Sequence, residues 1–449
     1  MLRRTLTLCL AALLAGSATA QLRPEGGPPR PQGGPPPKAE PVPEPPKPLD
    51  RPMTEAIVRS YATAEHWALQ AIVLLSLGND FHPAGAVPVV AALNAEDERL
   101  RPYAVELLRG MEAPKLASVA TPEVVDALVE LVSKEKNELL VAHSLEVLAR
   151  VLPSGPGADR KAWKRWWQEA RATYAPSAWE PPPGAVPDGR SSAGAFVERA
   201  FDLRDAGLDV AIVIDSTGSM QVAIDTARDA INDVVSLLSG VAPKLRLGLV
   251  HYKDVTDFSD GAKLLVSMTK KHDAVREGLA RLLADGGGDV PESVDKGFEV
   301  ALSKEMDWNK EANRLVLIIG DAPPHQRTLE GLLKAVKEAH DRPFVKGSKA
   351  VSGKREALRP FITSTICTSP AAREPFEQIS KAGGGTNVMM EVRGGGGGVR
   401  GPSAGGDPEK AARAIVEHIL LLSFGVQYRP QLQRFVQVYF EYRDAGLFK

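Results

Sequence analysis

The run Val210-Ala-Ile-Val-Ile214 is short, wholly apolar and rich in β-branched side chains, and it breaks off into Asp215-Ser-Thr217-Gly-Ser219. An apolar run of that length, ended by a polar turn, is the pattern of a strand covered on both faces in a parallel sheet. Beyond Met220, the residues Val222, Ile224, Ala227, Ala230, Ile231, Val234, Val235 and Leu238 repeat at helical spacing. A strand, a polar turn and a helix in that order put Asp215, Thr217 and Ser219 at the carboxyl edge of a sheet, where α/β folds keep their sites. One carboxylate beside two hydroxyls, with no His or Cys, is an oxygen donor set for a hard cation and not for zinc.

Two later segments extend the pattern. Asn313-Arg-Leu-Val-Leu-Ile-Ile-Gly-Asp321-Ala-Pro-Pro-His325 is a second buried-strand run ending in a carboxylate, and its prolines force a turn. Between the two lies Ala284-Asp285-Gly-Gly-Gly-Asp289-Val-Pro-Glu292, a glycine loop that ends in acidic residues and opens a helix through Pro291. Three loops from separate elements can therefore converge on one cation. From Asp209 to Ser423 strand and helix patterns alternate, with Lys263 to Met268 expected as a short antiparallel edge strand. The predicted architecture is an α/β, doubly wound (Rossmann-like) domain with a mostly parallel sheet.

The ordered motifs resemble the von Willebrand factor type A (VWA) domain and its metal-ion-dependent adhesion site, D-x-S-x-S, then a Thr, then an Asp. Asp215, Thr217 and Ser219 match the first motif, with Thr for its first Ser, and Asp321 matches the last. The middle Thr is missing, and Gly288-Asp289-Val290-Pro291-Glu292 looks like a G-D-x-P-E variant of the family. Leu247-Gly-Leu-Val-His-Tyr252-Lys-Asp254 also looks like the family's second strand. The resemblance spans roughly Leu208 to Gly425. It implies a divalent cation, Mg²⁺ with Mn²⁺ or Ca²⁺ as alternatives, held by Asp215, Thr217, Ser219, Asp289 and Asp321, and a protein partner bound through it, as in adhesion. Asp289 adds a third negative charge, so the expectation is tight but largely closed metal binding. The plainer reading of Asp289 is the cap of the helix beginning at Pro291, and D-S-T-G-S alone can be a helix cap.

Enzyme motifs fit less well. An aspartic protease needs D-[TS]-G-[ST], but Ser216 splits Asp215 from Thr217-Gly218, and no second copy follows to build a shared-proton pair. Haloacid-dehalogenase-type phosphatases share the apolar strand and a later Gly-Asp such as Gly320-Asp321, but Thr217 stands where their acid Asp belongs. The expectation is a non-enzyme, with a metal-assisted phosphoesterase using Asp215, or a scaffold without metal, as alternatives. His251 and His325 sit near strand ends, in expected structural or solvent-facing roles.

Residues 1–20 have Arg3-Arg4, an apolar core from Leu6 to Leu14 and Ala18-Thr-Ala20, the layout of a secretory signal peptide. That core is too short to span a bilayer. The expected setting is therefore periplasmic or extracellular, with no membrane span after cleavage. Cys367 would then be the sole cysteine, a core residue, and no internal disulfide is expected. A net charge of −1 argues against nucleic acid as a general partner.

Residues 21–50 carry a third of the chain's 36 prolines and read as a disordered tether. Residues 51–174 read as helical, with an internal repeat. Asp97-Glu98-Arg-Leu100 to Leu108 recurs forty residues on as Asn137-Glu138-Leu-Leu140 to Leu148, a period that resembles HEAT-type helix pairs. One earlier helix is expected over Thr54 to Leu77. Trp163, Trp166 and Trp167 share one helical face and are expected to seal the end of the stack. Residues 175–206 read as a linker, 207–426 as the VWA-like domain, and 427–449 as a C-terminal helix docking on the sheet domain. Gly394 to Gly398 suits flexibility more than phosphate binding, since no strand–helix frame encloses it.

Overall fold

The computed structural model describes residues 51–78, 85–178, 192–257, 259–287, 290–341, 359–390 and 408–448. The signal-peptide, tether and polyglycine readings, Asp289 and residues 179–191 of the expected linker lie outside these residues.

Nine helices come first among the described residues: α1 (Arg51–Thr63), α2 (Trp67–Leu77), α3 (Ala86–Leu93), α4 (Leu100–Gly110), α5 (Ala113–Val119), α6 (Pro122–Lys134), α7 (Glu138–Val151), α8 (Trp163–Ala170) and α9 (Ser192–Ala206). The single helix expected over Thr54 to Leu77 is two helices. His66 takes an extended backbone conformation and its Nδ1 accepts from the Ala68 N–H at 3.2 Å, so α2 has its own cap. Thr121 caps α6 by accepting from the Val124 N–H, and Pro122 follows it as N1. The two copies of the forty-residue repeat become α4 and α7, which pack on each other, as do α3 and α6. Trp163 and Trp167 are buried; the Trp163 indole donates to the Gly157 carbonyl at 2.8 Å and that of Trp167 to Asp126 at 2.7 Å. The expected linker ends in α9, whose apolar face (Phe196, Ala200, Leu203) is buried.

The second half alternates as its pattern predicts: β1 (Leu208–Asp215), α10 (Gln221–Val241), β2 (Arg246–Tyr252), β3 (Ala262–Thr269), α11 (His272–Arg281), α12 (Val294–Ala301), β4 (Asn313–Gly320), α13 (Gln326–Asp341), β5 (Phe361–Cys367), α14 (Arg373–Ala382), β6 (Gly384–Met389), α15 (Pro408–Phe424) and α16 (Arg429–Asp444). The sheet order is β3-β2-β1-β4-β5-β6, with β3 antiparallel at one edge and the other pairings parallel. Connections leave β1 towards β2 on one side and reach β4 on the other, so the switch in strand order falls between β1 and β4.

Alternation along each strand divides the core. Val210, Ile212 and Ile214 face α10, α11 and α15, and that apolar cluster continues without a break into the helices of residues 57–167. Ala211 and Val213 face the other way, towards Phe298 of α12, Val336 of α13 and Phe376 of α14. Cys367 is buried in the second cluster. The C-terminal helix α16 packs against α2 and α4 as well as α15, where docking on the sheet domain alone was expected. Rings from both layers meet there: Tyr103 and Phe435 lie 5.4 Å apart, Trp67 and Tyr439 6.3 Å, and Tyr439 and Phe448 5.3 Å.

Candidate functional site

β1 delivers Asp215 to the carboxyl edge of the sheet, beside the end of β4, and Asp215 is fully buried. The chain then turns tightly. The Thr217 N–H and the Thr217 hydroxyl both donate to Asp215 Oδ1, each at 2.8 Å. That satisfies one carboxylate oxygen twice and fixes the Thr217 side chain. The other oxygen, Oδ2, is buried with no hydrogen-bond partner. Ser219 follows in a short 3₁₀ turn (Gly218–Met220) with its side chain exposed.

The glycine loop is bound directly to this turn. The Gly218 N–H donates to the Gly286 carbonyl at 3.1 Å, and the Asp285 N–H to the Ser216 carbonyl at 3.2 Å. Gly286 and Gly287 have φ of +70° and +76°, and a Cβ on Gly287 would lie 2.6 Å from Thr217 Cβ. Glycine is needed there both for its conformation and for the approach. Beyond the loop, the Glu292 N–H donates to the Pro323 carbonyl at 3.0 Å, which ties the start of the next helix to the turn after Asp321. The helix expected from Pro291 begins only at Val294, because Glu292 forms a parallel bridge with Pro324.

Glu292 is the acidic residue that sequence reasoning left without a role, although it stood inside the G-D-V-P-E run. It is 2% exposed and its Oε2, like Asp215 Oδ2, is buried without a partner. Burial, then the negative charges of Asp215, Asp254, Asp257 and Asp321, push its carboxyl up to about 8. Burial likewise pushes Asp215 up to about 7, against the Thr217 hydrogen bonds, with Asp321 adding to the rise and Lys253 opposing it. Asp321 is half-buried and close enough to perturb both.

Around this acidic centre the neighbouring side chains are already paired. Asp254 accepts from Ser293 at 3.1 Å and is 2.7 Å from His325 Nε2. Burial would raise its carboxyl, but these bonds and one from the Val255 N–H hold it below the usual range. Lys253 is buried and bonds Asp285 through both its carbonyl and its carboxylate. His251, 3.0 Å from the Ser216 hydroxyl, is driven down to about 4 by burial and the nearby lysines. Both histidines therefore hold loops in place. Neither is within hydrogen-bond distance of Asp215.

The structure thus gathers Asp215, Thr217 and Asp321 with Glu292 at one edge, and leaves Ser219 at the rim. Among the described residues, no three His, Cys, Asp or Glu side chains are grouped as a metal cage. The expected donor set draws instead on hydroxyls, and Asp289 lies outside those residues. Two buried carboxylate oxygens without donors, each in a site of excess negative charge, are chemically matched to a hard divalent cation.

A strand-order switch with a D-x-T-x-S turn on one side and an aspartate on the other defines a class of ligand-binding α/β domain. Residues 209–391 match the family model of the von Willebrand factor A domain, and this part of the chain is a VWA domain. Among curated relatives, the chain is 29% identical over 123 residues to the alpha-protein kinase vwkA of Dictyostelium discoideum, covering 26% of this chain and 19% of that protein. It is 28% identical over 123 residues to an ariadne-like RING finger protein of Acanthamoeba polyphaga mimivirus, covering 27% of this chain and 12% of that protein. The match thus spans less than a fifth of either relative. Among solved structures it is similar to the SpRpn10 VWA domain (11% identity, TM-score 0.32, covering 46% of this chain and 94% of that one). A second is the conserved hypothetical protein BatB from Bacteroides thetaiotaomicron (13% identity, TM-score 0.32, covering 48% and 99%). No helix among the described residues is long and apolar enough to cross a membrane.

Proposed function

We propose that this chain is an exported, non-enzymatic binding protein whose VWA domain engages a protein partner at the Asp215 edge of the sheet, around a divalent cation. The observation that carries the reading is the buried, donor-free Oδ2 of Asp215 beside the equally orphaned Oε2 of Glu292. The ion would be Mg²⁺ (Mn²⁺ or Ca²⁺ in its place), held by Asp215, Thr217, Ser219 and Asp321, with Asp289 in or next to that set and Glu292 supporting it. Partner docking at this edge is favoured by apolar side chains exposed on the surrounding loops: Leu283 and Val290 flank the glycine loop, and Val255 and Val222 follow β2 and the first turn. Exposed apolar groups clustered by a polar centre suit a protein surface. The helices of residues 51–174 act as a HEAT-like scaffold for that domain. Thr217 stands where a haloacid-dehalogenase-type phosphatase has its acid Asp, which favours binding over a phosphoesterase.

Calorimetric titration of the full chain with Mg²⁺ and Mn²⁺ tests the site. Saturable binding is expected, lost in Asp215→Ala/Asp321→Ala. Unchanged affinity in that double variant would sink the assignment. Asp289→Thr should weaken cation binding while admitting a simple carboxylate as an added ligand. If it leaves cation affinity untouched, Asp289 is not part of the cation site. Metal-dependent turnover of a generic phosphoester, abolished by Asp215→Asn, would replace the binding role with a catalytic one.

A further inference from the structure

At the opposite, amino-terminal edge of the sheet, a cavity of about 220 Å³ opens between β1, β4, β5 and the helices α9 and α15. Three arginines line it: Arg199 from α9, Arg314 from β4, and Arg359 just before β5. Among the described residues, their only hydrogen-bonded carboxylate is Asp202. It takes a two-pronged bond from Arg359 at 2.6 and 2.7 Å and a further bond from Arg199. Arg199 also donates to the Ser423 carbonyl at the end of α15, and Arg359 to the Asn313 side chain. Among the described residues, three permanently charged guanidiniums thus face one carboxylate.

Arg314 is the unusual member. Only 8% of its surface is exposed, and among the described residues no carboxylate lies within ion-pair distance of it. Its guanidinium stacks on Phe361 at 4.0 Å and donates to the Arg359 carbonyl, but Nε is buried with no partner. Burial pulls its pKa down, the signature of a charge poorly compensated by its surroundings, with Asp209 opposing from a distance. A buried charge without a counter-ion is costly unless something supplies one. The Asp209 carboxylate is already committed to Arg246, at 2.6 and 2.9 Å, so it does not serve.

We propose that this cavity is a binding site for a phosphate group, held by the guanidiniums of Arg314, Arg199 and Arg359. Planar guanidinium forks match tetrahedral oxyanions in geometry as well as charge. The volume far exceeds the roughly 30 Å³ share of one water but falls short of the ~300 Å³ at which pockets for drug-sized ligands begin. A single small anion, or the phosphate end of a larger molecule, is therefore the occupant. The site stands at the other end of β4 from Asp321 and does not rest on the cation reading.

The test is calorimetric titration of the full chain, in metal-free buffer at constant ionic strength, with inorganic phosphate and separately with a simple phosphate monoester. Saturable binding of either supports the site, and the tighter of the two tells a free ion from an esterified group. Arg314→Met should weaken it at least about tenfold. Since that variant could lose stability, Asp202→Asn gives a reading of opposite sign: removing the competing carboxylate should tighten phosphate binding. No saturable heat with either ligand in the wild-type chain overturns the proposal. So does equal affinity in Arg314→Met, or weaker binding in Asp202→Asn.

Discussion

At the residue scale, buried charges divide into those with partners and those without, and the division separates structure from function. Asp209 is wholly buried, bonded by Arg246 and by the Asn309 N–H at 2.8 Å. Deleting it leaves the Arg246 guanidinium only the exposed Asp307 and frees the Asn309 N–H, so Asp209→Ala should cost about 2–3 kcal/mol in urea unfolding. His418 presents the complementary case. It is buried on α15, bonds Ser364 through Nε2 at 3.0 Å and leaves Nδ1 without a partner. Burial, aided by Arg429, drives its pKa down from 6.5 to about 4. The folded state therefore prefers the neutral ring. The stability this contributes is complete above pH 6.5 and is lost as pH falls through the window from 6.5 to 4, up to about 3 kcal/mol. His418→Leu should remove that part of the pH dependence between pH 7 and pH 4.5. An unchanged slope in the variant would show that His418 stays accessible to protons when folded.

At the scale of elements, local chemistry reads well from sequence and long-range placement does not. The strands were legible because double burial demands uninterrupted apolar runs, as in Val210 to Ile214 and Leu315 to Ile319. The cap at Thr121 was legible because capping is local. The break between α1 and α2 was hidden because His66, the side chain that caps α2, is an uncommon cap. The late start of α12 was hidden because it follows from a bridge to Pro324, remote in sequence. The same holds for the site. Asp215, Thr217 and Asp321 could be placed from strand ends, whereas the buried state of Glu292 depends on the Asp321 turn folding over it. The glycine loop joins the two levels. With Gly287 at φ +76° and pressed against Thr217, Gly287→Val should weaken cation binding by displacing the Thr217 hydroxyl, with about 1–3 kcal/mol of lost stability from backbone strain. Titration of that variant with Mg²⁺ measures the first effect and urea unfolding the second. Wild-type affinity for the ion would mean the loop does not hold Thr217 in place.

At the scale of the molecule, the helical layer and the sheet are joined by one apolar cluster and by α16, which reaches both. On one side Phe435 stacks on Tyr103 of α4; on the other, Tyr439 and Arg443 bond Asp233 of α10 at 3.2 and 2.7 Å. A helix that buries its aromatic face between two layers makes the stability of each depend on the other. Truncating the fully buried Phe435 to Ala should cost about 3–5 kcal/mol. The cost should appear in both layers at once. In a Trp308→Phe background, which removes the tryptophan packed on the sheet-side core, tryptophan fluorescence follows the helical layer through Trp67, Trp163 and Trp167, and hydrogen exchange at β1 amides follows the sheet. In urea the two probes should report one transition, and Phe435→Ala should move both midpoints together. If the β1 amides keep their protection while the fluorescence midpoint falls, the shared core does not couple the layers. The VWA domain would then hold its site without the helices that pack beneath it.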